Sequence, residues 1–169
     1  MPAPKTKDTN RIRDALKAMI RKGPPEVSAV FDASGSLFMC HFQLISSREK
    51  IGKRLFGLNI AELKTLVMLR ACKHLHDVTH SELQQETMLT SGGQTKVLKS
   101  LEEKGYIDVA INPDDGRSKW ISITEQGLQV VQEMFPQVAV EDHEFYRKNL
   151  TEKEFEELKR LLKKLTKDL

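Results

Sequence analysis

Three clusters in this sequence carry groups able to do chemistry, and each would do a different kind. Ser91-Gly92-Gly93-Gln94-Thr95-Lys96, followed by Lys99, lies at the start of a predicted helix. There the amides of Ser91 and Gly92 would meet a phosphate with the positive end of the helix dipole, and glycine would let the backbone approach closely. Gln94 can pair bidentately with adenine, Thr95 can meet a thymine methyl or a phosphate, and Lys96 and Lys99 can neutralise backbone charge. Asp114-Asp115-Gly116-Arg117 lies at the tip of a predicted hairpin, where the Arg117 guanidinium can enter a narrow, electronegative minor groove while Asp115 steadies its fork. Cys72, His74, His76, Asp77 and His80 fall within nine residues and invite a metal. Plainer readings stay open at this level: Ser91 as a helix cap, its glycines as a loosened helix start, and the Arg117 segment as an exposed turn. The histidines straddle a helix boundary and a capping box, unlike a closed tetrahedral site, so no metal is expected.

Those groups need elements to hold them, and proline, glycine and capping residues mark where the elements lie. Asn10 to Lys22 reads as a short helix closed by Gly23-Pro24-Pro25, because the residue before a proline leaves the helical region. A second, long apolar helix is predicted from about Ser34 or Ser36 to Phe56, with Gly57 as its stop. Asn59 with Glu62, Thr79 with Glu82, and Thr151 with Glu154 each pair a capping residue with a carboxylate three positions on, and open three further helices. Ser91 is predicted to cap a helix ending at Gly105. After Gly105 the apolar period falls to about two through Tyr106, Ile107, Val109 and Ile111, turns over Asn112 to Gly116, and resumes at Trp120, Ile121 and Ile123. A hairpin attached directly to the second helix of a helix-turn-helix is a wing. Thr124 opens a helix through Met134 that Pro136 is expected to interrupt.

The predicted fold is mainly α: a winged helix-turn-helix with a small β-hairpin wing, flanked by N- and C-terminal dimerisation helices. Its expected divisions are a basic arm at 1–28, a dimerisation helix region at 29–57, the winged domain at 58–135 and C-terminal dimerisation helices at 136–169. Apolar helices at both ends of so short a chain have little core of their own to cover them, which predicts a homodimer.

Composition narrows the function classes. The 169 residues are 39% hydrophobic and 30% charged, as in one ordinary domain with arms. The longest stretch without formal charge, Ala33 to Ser47, falls short of the roughly 18 to 20 apolar residues that span a bilayer. The N-terminus is polar, without an apolar signal core, so a cytoplasmic protein with no membrane partner is expected. Two cysteines, Cys40 and Cys72, allow neither a disulfide framework nor a Cys-x-x-Cys site. Neither a nucleophile triad nor a phosphate-cradling loop emerges, and neither an enzyme nor a cofactor is expected. The net charge of +3 is too small to argue for nucleic acid. Its distribution is uneven: residues 1–23 hold seven basic and two acidic side chains, while 79–123 hold five basic and seven acidic.

From Leu89-Thr90-Ser91-Gly92-Gly93-Gln94-Thr95-Lys96, through Leu101-Glu102-Glu103-Lys104-Gly105-Tyr106-Ile107, to Asp115-Gly116-Arg117-Ser118 and Ile123-Thr124-Glu125-Gln126-Gly127, the sequence resembles the MarR family of bacterial transcriptional regulators. The likeness is strong over about 58 to 130, whereas residues 1 to about 28 extend beyond the usual family start. It departs from many relatives at Gly116, where they carry a second arginine. The resemblance implies a two-fold dimer that sets one recognition helix per subunit into successive major grooves of a pseudo-palindromic operator, with half-sites about one helical turn apart. It assigns Ser91, Gly92, Gln94, Thr95, Lys96 and Lys99 to the recognition helix and Asp115, Arg117 and Lys119 to the wing. It further implies a repressor released by a small aromatic or carboxylated effector, for which His41, Ser47 and Arg48 are the candidate polar contacts. Two other readings remain at this level: a winged-helix module for protein contacts, favoured by the acidic balance of 79–123, and a thiol-based redox regulator using Cys40, although a buried apolar cysteine is the simpler expectation. The basic arm can reach phosphates, pack in a dimer, or be a disordered tail.

Overall fold

The computed structural model describes Ala18 and residues 24–72, 78–112 and 119–167. The helix expected over Asn10 to Lys22, the His74-His76-Asp77 part of the histidine cluster, and the wing tip with Asp115 and Arg117 lie outside those residues. The chain divides into two compact units, one ending at Ile45 and one running from Ser46 to Leu169.

Helix α1, Pro25–Phe56, begins well before the predicted Ser34 or Ser36. Pro25 occupies its first helical position, where a missing N–H costs nothing and the fixed φ is already helical. Ser34 and Ser36 therefore lie inside the helix and start nothing. In the first unit this helix leaves Val30, Phe31, Phe38 and Phe42 each more than half exposed. Cys40 is exposed as well, against the expectation of burial.

The second unit holds the core. Helix α2 (Ile60–Cys72) leads into strand β1 (Val78–Thr79), helices α3 (His80–Thr87) and α4 (Ser91–Glu103), strands β2 (Ile107–Ile111) and β3 (Lys119–Ile123), and helices α5 (Glu125–Asn149) and α6 (Glu152–Leu165). Leu58, Leu66 and Leu101, from the loop before α2, from α2 and from α4, are fully buried together with Ile51, Leu83, Ile107 and Ile121. Burying each such side chain contributes about 1.5 to 3 kcal/mol. The predicted hairpin pairs in antiparallel register from Ile107 opposite Ile123 to Ile111 opposite Lys119. β1 joins β3 on its other edge, giving the order β1-β3-β2. Two residues are too few to show a period, so sequence patterning could not reveal β1.

Pro136 does not interrupt α5. It is exposed and removes only its own bond to the preceding turn. Leu128, Val131 and Met134 before it are buried, and Val138 after it still packs on the core, so the helix is held on both sides. α1 and α5 therefore run across the expected divisions at 28/29 and 135/136. No helix among the described residues is long and apolar enough to cross a membrane.

The cap predictions hold at three helices. Asn59 Oδ1 accepts from the amides of Ala61 and Glu62 at 2.9 and 3.1 Å, and Glu62 Oε2 accepts from the Asn59 amide at 2.7 Å. Thr79 with Glu82, and Thr151 with Glu154, form the reciprocal box in full. At the other end of α3, Met88 takes a left-handed conformation with φ 57°, the sole non-glycine residue to do so among those described, and its side chain is 87% exposed. A Cβ in that conformation costs energy that no packing returns. Met88→Gly is expected to raise stability by about 1 kcal/mol and the melting temperature by about 2 to 4 °C in a chain of this size. A calorimetric scan with an unchanged or lower transition would refute this.

Candidate nucleic-acid interface

Helices α3 and α4 are joined by a turn of three residues, Met88 to Thr90. The left-handed Met88 reverses the chain, and the cap of α4 is Thr90 rather than Ser91: Thr90 Oγ1 accepts from the Gly93 amide at 3.2 Å. A Cβ at Gly93 would lie 3.0 Å from that oxygen, which accounts for a glycine at the third position. Ser91 and Gly92 become the first two helical residues. Helix geometry gives their amides no carbonyl partner within the helix, and both residues are exposed, with open space around Gly92.

The sequence-predicted residues of α4 divide between two faces. Ser91, Gly92, Thr95, Lys96 and Lys99 are exposed. Thr95 Oγ1 donates to the Ser91 carbonyl at 3.0 Å, and Lys99 Nζ lies 3.8 Å from Glu103. Lys96 has no ion-pair partner among the described residues. Gln94 belongs to the other face: it is 1% exposed among Val97, Leu98 and Leu101, and its Nε2 donates to the His80 carbonyl at 2.9 Å. Its Oε1 meets no partner among the described residues. Gln94 thus holds α4 to α3 and is not placed to read a base, a correction that follows from its position on the helical stripe of the three apolar residues. Of the wing set, Lys119 is exposed at the start of β3.

The acidic balance of 79–123 takes on a different meaning with these positions in place. From Ser91 to Lys99 there is no acidic residue, and Glu102 and Glu103 fall at the far end of α4. Glu82 is turned back to its own cap, where it accepts from the Thr79 amide at 2.8 Å. The N-terminal half of α4 therefore combines Lys96, two open amides and the positive end of the helix dipole, with Lys99 one turn further on.

A second polar anchor of α4 has no signal in the sequence. Glu62, on α2, is 3% exposed, and its Oε1 accepts from Ser100 Oγ and from Lys104 Nζ, both at 2.6 Å. Burial works against the charged form of Glu62, but the donors Lys104, Ser100 and the Asn59 amide outweigh it and hold the carboxyl below the usual range. Lys64 on the same helix donates to the Thr87 carbonyl at 3.0 Å and so satisfies the end of α3. The Asn59-Glu62 cap is legible in the sequence; the link from Glu62 to Ser100 and Lys104, far along the chain, is not.

The candidate effector residues fall in both units. His41 belongs to the first unit and is exposed. Ser47 donates to Glu141, and Arg48 Nη2 pairs with Asp142 at 2.6 Å, so both side chains are engaged with α5. Burial pushes the Asp142 carboxyl up, Arg48 draws it down and Glu141 raises it again, with a net upward result. An apolar wall with a polar contact occurs elsewhere in the second unit, as an open groove of about 950 Å³ between α2 and α5. Val67, Ala71, Leu128 and Phe135 supply its apolar surface, and Arg70 and Gln132 its polar groups. The Arg70 guanidinium carbon stands 5.2 Å from the centre of the Phe135 ring and has no carboxylate partner among the described residues.

Comparison with known proteins agrees with this geometry. Residues 58–119 match the model of the MarR family. The HTH-type transcriptional regulator YdcH of Bacillus subtilis is 31% identical over 116 residues, covering 65% of this chain and 77% of that protein. SarZ of Staphylococcus haemolyticus, also an HTH-type transcriptional regulator, is 28% identical over 94 residues, covering 54% of this chain and 64% of that protein. Among solved structures, apo wild-type MarR from E. coli superimposes with a TM-score of 0.73 at 25% identity, covering 79% of this chain and 95% of that one. S. aureus MepR in its DNA-binding conformation superimposes with a TM-score of 0.60 at 23% identity, covering 79% and 95%.

Proposed function

The chain belongs to the MarR family of winged helix-turn-helix transcriptional regulators, and we propose that it works as a cytoplasmic homodimeric repressor of a pseudo-palindromic operator, released by a small aromatic or carboxylated effector. The observation that carries the DNA part is the division of α4 into a buried stripe and an exposed face of Ser91, Gly92, Thr95, Lys96 and Lys99. In the dimer each α4 enters a major groove, with amides and lysines on phosphates and Thr95 toward base edges. Lys119, with Asp115 and Arg117 of the wing tip, follows the neighbouring minor groove. The dimer buries the apolar residues that α1 exposes in the first unit, and in the second it covers the stripe on α6 on which Leu161 and Leu165 are exposed. In this reading 29–57 and 136–169 are the dimerisation regions and 58–135 the DNA-binding domain.

The effector site in this reading moves from His41, Ser47 and Arg48 to the groove beside Arg70, where a guanidinium without a counter-ion among the described residues lines an apolar wall. Such a wall suits a compact ring bearing a carboxylate, which can pair with the fork while the ring packs on Phe135. An effector releases DNA only if it binds the non-binding arrangement more tightly.

Selection of duplexes from a random-sequence library by the full-length chain tests this function. The expected result is an enriched inverted repeat with half-sites about one helical turn apart, bound by two chains. Benzoate is expected to weaken that complex, and Arg70→Ala to abolish the benzoate effect while leaving duplex binding intact. Enrichment of no duplex, or binding as a monomer, would exclude the proposed repressor.

A further inference from the structure

We infer that Glu62 is a positioning residue for DNA recognition: from α2 it bolts the C-terminal end of α4 through Ser100 and Lys104, and so sets the rotation at which Ser91, Thr95 and Lys96 are offered to a duplex. This rests on the DNA-binding reading above. The geometry differs from that of the capping box at α6. Glu154 occupies the same kind of capping box at α6, yet it is exposed and its bonds go to its own cap residue, Thr151. Glu62 uses only Oε2 for its cap, at 2.7 Å from the Asn59 amide. Oε1 points to another helix, where Ser100 Oγ and Lys104 Nζ reach it at 2.6 Å and Lys104 also donates to Ser100 at 3.0 Å.

The rest of the grip on α4 is of a different nature. Val97, Leu98 and Leu101 are buried on its inner face, and apolar burial has no preferred direction. Such a surface tolerates a few degrees of roll or a small slide. Hydrogen bonds weaken steeply with angle, and a buried carboxylate that loses its donors costs far more than a loosened methyl contact. Gln94 supplies the corresponding pin near the other end, on the His80 carbonyl. With directional bonds at both ends the exposed face of α4 has one orientation, which base-edge contacts require and phosphate contacts alone do not.

The test uses the full chain, the duplex that the wild type enriches, and an unrelated duplex of equal length. Glu62→Gln keeps the side-chain volume and can keep the cap by turning its oxygen to the Asn59 amide. Its NH2 then faces the Lys104 ammonium, donor against donor, and the bolt loses its charged half. Fluorescence anisotropy well below the melting temperature is expected to show about tenfold weaker binding to the enriched duplex, with binding to the unrelated duplex within about twofold because that binding is a matter of backbone charge. Lys104→Met is expected to do the same, and the double variant to be no worse than either single, since both act through one connection. Equal losses on the two duplexes, no loss at all, or additive losses in the double variant would overturn the assignment. A wild-type chain with no preference among duplexes would overturn the DNA-binding reading itself and this inference with it.

Discussion

Gly127→Ala is expected to cost about 3 kcal/mol of stability, the upper part of the range for overpacking a tight interior, and to lower the melting temperature by about 6 to 12 °C. The added Cβ would lie 2.2 Å from the Tyr106 carbonyl oxygen and 2.8 Å from Ile123 Cγ1. A side chain could swing aside, but the Tyr106 carbonyl cannot: it accepts from the Thr124 amide at 3.1 Å. Thr124 Oγ1 in turn accepts from the Gly127 amide at 3.1 Å and donates to the Gly105 carbonyl at 2.8 Å. The first turn of α5 is thereby joined to the chain entering β2, and an extra methyl must prise the two apart at the root of the wing. Gly92→Ala is the matching control, because nothing lies within 4 Å of its Cβ and alanine favours the helix. Thermal unfolding of the two variants decides the matter: a Gly127→Ala transition as high as that of Gly92→Ala would show that the approach is not close.

The second large effect is expected at Lys96. This side chain is exposed on the N-terminal half of α4 with no ion-pair partner among the described residues, so removing it should leave the melting temperature unchanged. In a dimer it occurs twice per duplex. Lys96→Ala is expected to flatten the dependence of log affinity on log salt by roughly 2, at about 0.9 for each phosphate that is no longer neutralised. Lys96→Glu adds repulsion at both positions and is expected to weaken binding about 100-fold or more at low salt. Gln94→Ala should behave in the opposite manner, losing stability along with affinity, because Gln94 is buried and tied to His80. A Lys96→Glu chain that binds its enriched duplex as tightly as the wild type would remove this face of α4 from the interface.

Both predictions fall on residues that stand out in the sequence, one within the Thr-x-x-Gly signature and one in the helix start after Leu89. The reason lies in chemistry that is local in the chain. Caps act over three residues, so Asn59 with Glu62, Thr79 with Glu82, and Thr151 with Glu154 announce their helices, and the change of apolar period after Gly105 announces the hairpin. Where a local signal is too short or too weak against its surroundings, the expectation fails. β1 has two residues, Pro136 is overridden by apolar packing on both sides, and Pro25 begins a helix that the apolar pattern starts only at Ser34 or Ser36.

The capped helix starts at Asn59, Thr79 and Thr151, the hairpin, the family and the residue types available to meet a duplex are thus determined by the order of amino acids alone, because each depends on interactions over a few positions. That Gln94 finds the His80 carbonyl, that Glu62 reaches Ser100 and Lys104, that Arg48 is spent on Asp142 while Arg70 is left to line a groove: these are decided by the tertiary structure. Each brings together side chains that are well separated in sequence, and burial and geometric reach, which settle such contacts, have no period along the chain to betray them.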